Sequence, residues 1–297
     1  MLSKKALLFL VLAYALAWTL ELGFFALGGR IDSGAFVAFA FVGMFTPATA
    51  AFITQRLIWK EPMRDLGVRN PRLSWLAIAW LLPLLLVGVA LAVSLFLPGV
   101  SLMTGLDALA VALAGKVPPQ QLADMQRELE HTLLAKPGVL LFLSLFQVLG
   151  AGPTINAVAG FGEELGWRGL LQRELEPLGF WRSSLVIGFF WGLWHLPLIV
   201  AGLNYPGHPV AGPIVMIAFT MLLSPLIGYV RLRAQSVLAA AVFHGTFNAA
   251  ATLSIFLHGG TMFTSGITGV PGLVTILLAN GALWLHLRRQ PVPIIAA

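Results

Sequence analysis

The 297-residue sequence is 58% hydrophobic and 10% charged, with a mean hydropathy of +0.89 and a formal net charge of +6. That composition excludes an ordinary soluble globular domain, and continuous apolar runs of about 20 residues exclude the short alternating strands of a transmembrane barrel. Cysteine is absent, which removes disulfides, thiolate metal sites and a cysteine nucleophile and leaves the redox compartment unreadable.

In chain order the pattern predicts eight helical spans, at about 6–28, 34–56, 74–97, 138–162, 183–203, 210–230, 236–257 and 267–287. The first begins at Lys4-Lys5 like a signal peptide, but its apolar run is longer than a signal core and no small-residue cleavage site precedes the second span, so it reads as retained. Glu21 lies inside it, either as a helix-packing group or as a partner of a polar site. Between the third and fourth spans, residues 104–136 form the longer of the two main polar stretches. Leu122, Met125, Leu129 and Leu133 recur there at helical spacing among Asp124, Arg127, Glu128 and Glu130, which predicts an amphipathic interfacial helix, with a substrate-facing lid as the alternative. No internal repeat is visible, so residues 1–297 read as one membrane domain with its core at about 138–257.

Basic residues fix the expected orientation. With a cytoplasmic N-terminus, only Arg30, Lys116, Arg127 and Lys136 of the 18 lysines and arginines fall on the far side. The bias predicts an even number of spans and cytoplasmic termini. Because the basic residues track loop sidedness and form no single patch, the net charge is topological, and a nucleic-acid partner is not expected.

Ionisable side chains at membrane depth mark the candidate site, since each is costly unless it meets a partner or a polar cavity. The fourth span runs into Glu163-Glu164-Leu165-Gly166-Trp167-Arg168, the fifth carries Trp191-Gly192-Leu193-Trp194-His195, and the seventh carries His244-Gly245-Thr246-Phe247-Asn248. Adjacent helical residues point about 100° apart, so Glu163 and Glu164 are not expected to face one point, whereas Glu164 and Arg168 can pair four residues apart. Glu163 is then the candidate general base, and His244 with Asn248 offers two donors suited to an oxyanion. All four groups on spans four, five and seven are expected to reach one cavity open to the cytoplasm, with Trp167 and Trp194 on its wall. The blander reading places the glutamates in a cytoplasmic loop beside Arg168 and Arg173, and His195 in helix-to-helix hydrogen bonding. Other intramembrane chemistries lack their signatures: Asp32, Asp65, Asp107 and Asp124 lie outside the spans or at their ends, and neither Gly-x-Ser-x-Gly nor His-Glu-x-x-His occurs. A transporter or scaffold using the same polar residues stays open, because Gly150, Gly152, Pro153, Asn156 and Gly160 interrupt the fourth span as a broken helix would.

Glu-Glu-x-x-x-Arg at 163–168, aromatic-x-x-x-His at 191–195 and His-x-x-x-Asn at 244–248, with Thr46-Pro47-Ala48 upstream, resemble the ordered motifs of the CAAX prenyl protease type II family, also called CPBP or ABI intramembrane proteases. The resemblance runs from about residue 40 to 255 and is densest over 160–250. Trp191 departs from the family's usual phenylalanine but keeps an aromatic ring. The resemblance implies an all-α polytopic membrane protease of a prokaryotic cell membrane. In it Glu163 activates water, His195 positions that water, His244 and Asn248 stabilise the oxyanion, and Glu164 and Arg168 support them. Substrates implied are membrane-tethered peptides or proteins, prenylated ones among them. No cofactor is expected on a glutamate mechanism; zinc held by Glu163, His195 and His244 is the family's alternative.

Overall fold

A computed structural model describes residues 2–113 and 117–290. Lys116, counted above among the far-side charges, lies outside the described residues. Seven helices are long and apolar enough to cross a membrane: α1 (Lys4–Ala26), α2 (Gly34–Ile58), α3 (Leu73–Ser94), α6 (Val139–Glu174), α9 (Ala211–Ala234), α10 (Val237–Phe256) and α11 (Val270–Arg289). The fifth predicted span is instead two consecutive helices, α7 (Phe180–Trp194) and α8 (Leu196–Val200), which meet at His195 where Pro197 cannot continue the hydrogen-bond ladder. Two short helices, α4 (Leu106–Leu113) and α5 (Pro119–Leu129), occupy the polar stretch between α3 and α6, and no residue of α5 is buried.

The bundle is organised around α10, 67% of which is buried against 28% of α1 and of α3. It packs on α3, α6 and α9, and α7 lies along α9. Small residues set these distances, because in a membrane helices gain most from close backbone approach. A Cβ on Gly160 of α6 would lie 2.8 Å from the Ala241 carbonyl oxygen of α10, and one on Gly245 would collide with the Ala157 backbone of α6. The two glycines let α6 and α10 cross in near contact, one turn from Glu163, Glu164 and His244. On the other side of α6 a Cβ on Gly162 would lie 2.6 Å from the Met44 carbonyl oxygen, next to the Thr46-Pro47 turn of α2.

Two expectations about the fourth span are corrected. It does not end near residue 162, and it is not broken at its glycines. α6 runs on to Glu174 through π-helical turns at Gly152–Asn156 and Leu165–Leu171. Pro153 lacks the N–H that a regular turn needs, and the widened turn absorbs the defect without ending the helix. At the second π turn the Arg168 carbonyl accepts a bond from Arg231 Nε at 3.0 Å. Glu163, Glu164 and Arg168 therefore lie inside the bundle, and not in a loop.

The interhelical loops fall on two faces. On one, Lys5 bonds Glu61 at 2.5 Å and lies 3.6 Å from Glu174, and the Gly67 carbonyl accepts the Val237 N–H. On the other, β1 (Ser101–Leu102) pairs with β2 (Leu257–His258), and Ser94 Oγ accepts the Gly266 N–H at 3.0 Å. Tyr205 joins the two loops of this second face: its ring stacks on Phe263, and its hydroxyl donates to the Thr268 carbonyl at 3.1 Å. Burial pushes that hydroxyl up to about 12, so it stays a donor across ordinary pH. Arg30, Arg127 and Lys136 lie on the second face, and the other described lysines and arginines outside the bundle lie on the first.

Candidate active site

The α6–α10 crossing determines the first half of the site. Glu164 Oε1 accepts Arg168 Nη1 at 3.0 Å, one turn on, and lies 2.8 Å from His244 Nδ1 across the helix interface. A carboxylate oxygen bonded to Arg168 is an acceptor, so His244 Nδ1 carries the proton. His244 Nε2 then faces Glu163 Oε1 at 4.0 Å. Both glutamates thus meet His244, contrary to the expectation that adjacent residues cannot share a target. A single imidazole presents nitrogens on two edges, and that width spans the ~100° between neighbouring helical positions.

Trp191 ties the second half to the first. Its indole Nε1 donates to Glu163 Oε2 at 2.6 Å, its ring lies under the Arg168 guanidinium at 4.6 Å, and its ring centroid is 5.3 Å from that of His244. Sequence reasoning treated Trp191 as an aromatic substitute for phenylalanine. The signal was in the departure itself, since only tryptophan adds a ring N–H to that position.

His195 owes its place to the break between α7 and α8. Its backbone N–H turns back to the Gly192 carbonyl at 3.2 Å, and its own Nδ1 lies 2.8 Å from the Trp191 carbonyl oxygen. A carbonyl only accepts, so Nδ1 is the donor, and a neutral His195 keeps its Nε2 lone pair free. Thr220 of α9 fixes α7 two turns earlier through a 2.8 Å bond to the Gly188 carbonyl.

One cavity of about 430 Å³ is lined by Glu21, Glu163, Trp191, Trp194, His195, His244 and Asn248. All four expected catalytic residues therefore share a space of the size small-molecule and peptide sites use. Glu164 and Arg168 stand behind it, fully buried. Trp167, expected on the wall, is buried instead against Phe9 and Trp194. Among the described residues no group of three histidine or acidic side chains is placed to hold a metal ion. The alternative zinc set of Glu163, His195 and His244 thus has no preformed geometry here.

The cavity extends toward one face of the bundle. Its lining reaches Leu203 and Asn204 after α8, Ser254 near the end of α10, and Ile267 and Thr268 before α11. All belong to the second face, opposite the Lys4 end of α1 and the Arg289 end of α11. A cytoplasmic mouth and cytoplasmic termini cannot both hold in this fold. The reason is depth: His195 sits at the far end of α7, so the space in front of it continues toward the loop that follows α8.

Residues 145–250 match the model of a family described as type II CAAX prenyl endopeptidase Rce1-like. This stretch is similar to that family. A 44-residue stretch is also 43% identical to CAAX prenyl protease 2 of Methanococcus maripaludis, covering 14% of this chain and 16% of that protein's length. The matched stretch contains every motif residue from Glu163 to Asn248 and the whole α6–α10 crossing.

Proposed function

We propose that this membrane protein is an intramembrane endopeptidase that hydrolyses a peptide bond of a membrane-associated substrate with water activated by Glu163. The observation that carries this reading is the 4.0 Å separation of Glu163 Oε1 and His244 Nε2 inside the cavity. A water about 2.8 Å from both atoms subtends about 90° between them, a workable hydrogen-bond geometry. Trp191 holds the other oxygen of Glu163, so the carboxylate presents one defined edge. His195 Nε2, on the same cavity wall, is an acceptor for the water's second proton when His244 Nε2 is itself protonated.

In the reaction Glu163 takes a proton from water as the water oxygen bonds to the scissile carbonyl carbon. Charge that develops on the carbonyl oxygen meets the Asn248 amide and, when His244 is protonated at both nitrogens, its Nε2–H. The proton held by Glu163 then passes to the leaving nitrogen as the C–N bond breaks, releasing a carboxylic acid and an amine. Glu164 and Arg168 keep the His244 ring in its orientation throughout. No metal is needed for this sequence, and the two names matched, both of CAAX prenyl proteases, support a prenylated peptide as the first substrate to try.

The test is hydrolysis of an internally quenched peptide ending in a prenylated CAAX sequence, by purified protein in lipid nanodiscs, with and without a chelator. Glu163→Gln is expected to lose at least a hundredfold in rate, as removal of a general base does. His195→Ala and His244→Ala are expected to follow, and the chelator to change nothing. Unaltered turnover in all three variants refutes the assignment, and turnover abolished by the chelator refutes the metal-free route.

A further inference from the structure

One carboxylate of the cavity has no part in this chemistry. Tyr14, Trp18 and Glu21 follow one another at spacings of four and three along one face of α1. Tyr14 donates to the Phe190 carbonyl at 2.7 Å and Trp18 Nε1 to the Trp194 carbonyl at 3.1 Å, so this face is clamped along α7. α7 ends at Trp194, and the next rung of α1 is Glu21, which reaches past the helix end onto the cavity wall. The side chain is 2% exposed, and its Oε2 is buried with no hydrogen-bond partner. Glu21 and Glu163 line the same cavity.

We propose that Glu21 is a substrate-recognition subsite that binds a cationic nitrogen, an ammonium or guanidinium group, beside the scissile bond. A rigidly held carboxylate in a low-dielectric space is costly without a donor, and no described residue of the chain supplies one. Among the described lining residues the acidic side chains are Glu21 and Glu163, and none is lysine or arginine. Arg168 is fully buried behind the wall and already paired with Glu164. With His195 and His244 neutral, the cavity therefore attracts cations and repels carboxylates. A metal ion fits poorly, since no three ligating groups gather there. An organic cation carried in by the peptide needs only the one carboxylate and the room the cavity has. The nature of the ligand rests on the protease reading; the charge preference rests on the cavity alone.

Two sources supply such a nitrogen: a basic side chain of the substrate, or the new amino terminus of the released fragment. Peptides identical except for lysine, N-acetyl-lysine or glutamate, scanned through the three positions on each side of the scissile bond, separate them. Wild-type protein is expected to favour lysine over acetyl-lysine about tenfold in kcat/KM at one position, with the ratio falling to about one in Glu21→Gln and glutamate preferred in Glu21→Lys. If the released amine is the ligand, the free-amine fragment inhibits wild type about tenfold more strongly than its N-acetylated form, and Glu21→Gln removes the difference. Thermal unfolding of Glu21→Gln, together with its turnover of the acetyl-lysine peptide, confirms that the variant is folded. Lysine and acetyl-lysine treated alike in wild type with no amine-selective inhibition, or either preference persisting in Glu21→Gln, overturns the proposal. Binding of the same peptides, read by cavity tryptophan fluorescence, separates the two readings. Charge-selective binding without hydrolysis upholds the Glu21 subsite and removes the protease, whereas hydrolysis without charge preference does the reverse.

Discussion

The depth of the cavity and its mouth treat polar groups in opposite ways. In the depth, Glu163, Glu164, Arg168 and His244 are each at most 4% exposed, and each has at least one charged or hydrogen-bonding partner at the α6–α10 crossing or on Trp191, although Glu164 Oε2, Arg168 Nε and Arg168 Nη2 make no hydrogen bond. Toward the mouth, Asn248 is exposed, Glu21 Oε2 is unpartnered, and Asn204 holds a left-handed backbone at φ 62°. The difference follows from what can reach each region. Where no ligand arrives, an unpaired charge in hydrocarbon has no remedy and the fold must supply the partner; where a ligand arrives, an open valence is the means of recognising it.

The sharpest way to break the comparison is to unpair the depth. Arg168→Met removes the cation beside Glu164 and is expected to cost about 3–5 kcal/mol of stability, because a buried carboxylate is left uncompensated. Thermal or denaturant unfolding in nanodiscs measures it. The double variant Glu164→Gln/Arg168→Met should recover most of the loss, since removing both charges leaves no orphan. A single variant as stable as wild type would mean that the pair is solvated and the depth is not dry. Trp191→Phe probes the same region more gently. Phenylalanine keeps the ring under Arg168 and deletes only the indole N–H on Glu163 Oε2. Loss of a hydrogen bond to a charged group, about 1.5–3 kcal/mol, predicts kcat/KM lower by at least tenfold with little change in melting temperature. Unchanged kcat would show that Glu163 does not depend on that bond for its orientation.

The depth was also the more legible region in the sequence. The Glu164–Arg168 pairing and the gathering of Glu163, His195, His244 and Asn248 follow from helical spacing and from the cost of burying charge, and both are present in the structure. What spacing could not give is which way α6 widens. The π turn at Leu165–Leu171 coincides with tertiary contacts such as Arg231 with the Arg168 carbonyl, which spacing along α6 alone does not reveal, so the expected span ends at 162. Glu21 was visible as an intramembrane carboxylate, but its role was not, since nothing in α1 alone says that α7 stops one turn below it. The direction of the cavity was not legible for a related reason: sidedness of charge reports on loops, whereas that direction depends on where along each helix the lining residues sit.

The smallest expected effect tests that last point. The charge bias predicts the Arg64 face inside, and the cavity lining reaches the loops of the face that carries Pro209. The chain has no cysteine, so single substitutions give unique labelling sites without further engineering. Pro209→Cys and Arg64→Cys replace exposed residues remote from Glu163, and neither should alter turnover. A membrane-impermeant maleimide applied to intact cells is expected to label Pro209→Cys and to reach Arg64→Cys only after permeabilisation. The reverse pattern would return the mouth to the cytoplasm and make the basic loops an exception to the charge bias. Which pattern appears decides whether the substrate is presented by cytoplasmic processing or after export, because the cavity has lining residues on one face and none on the other.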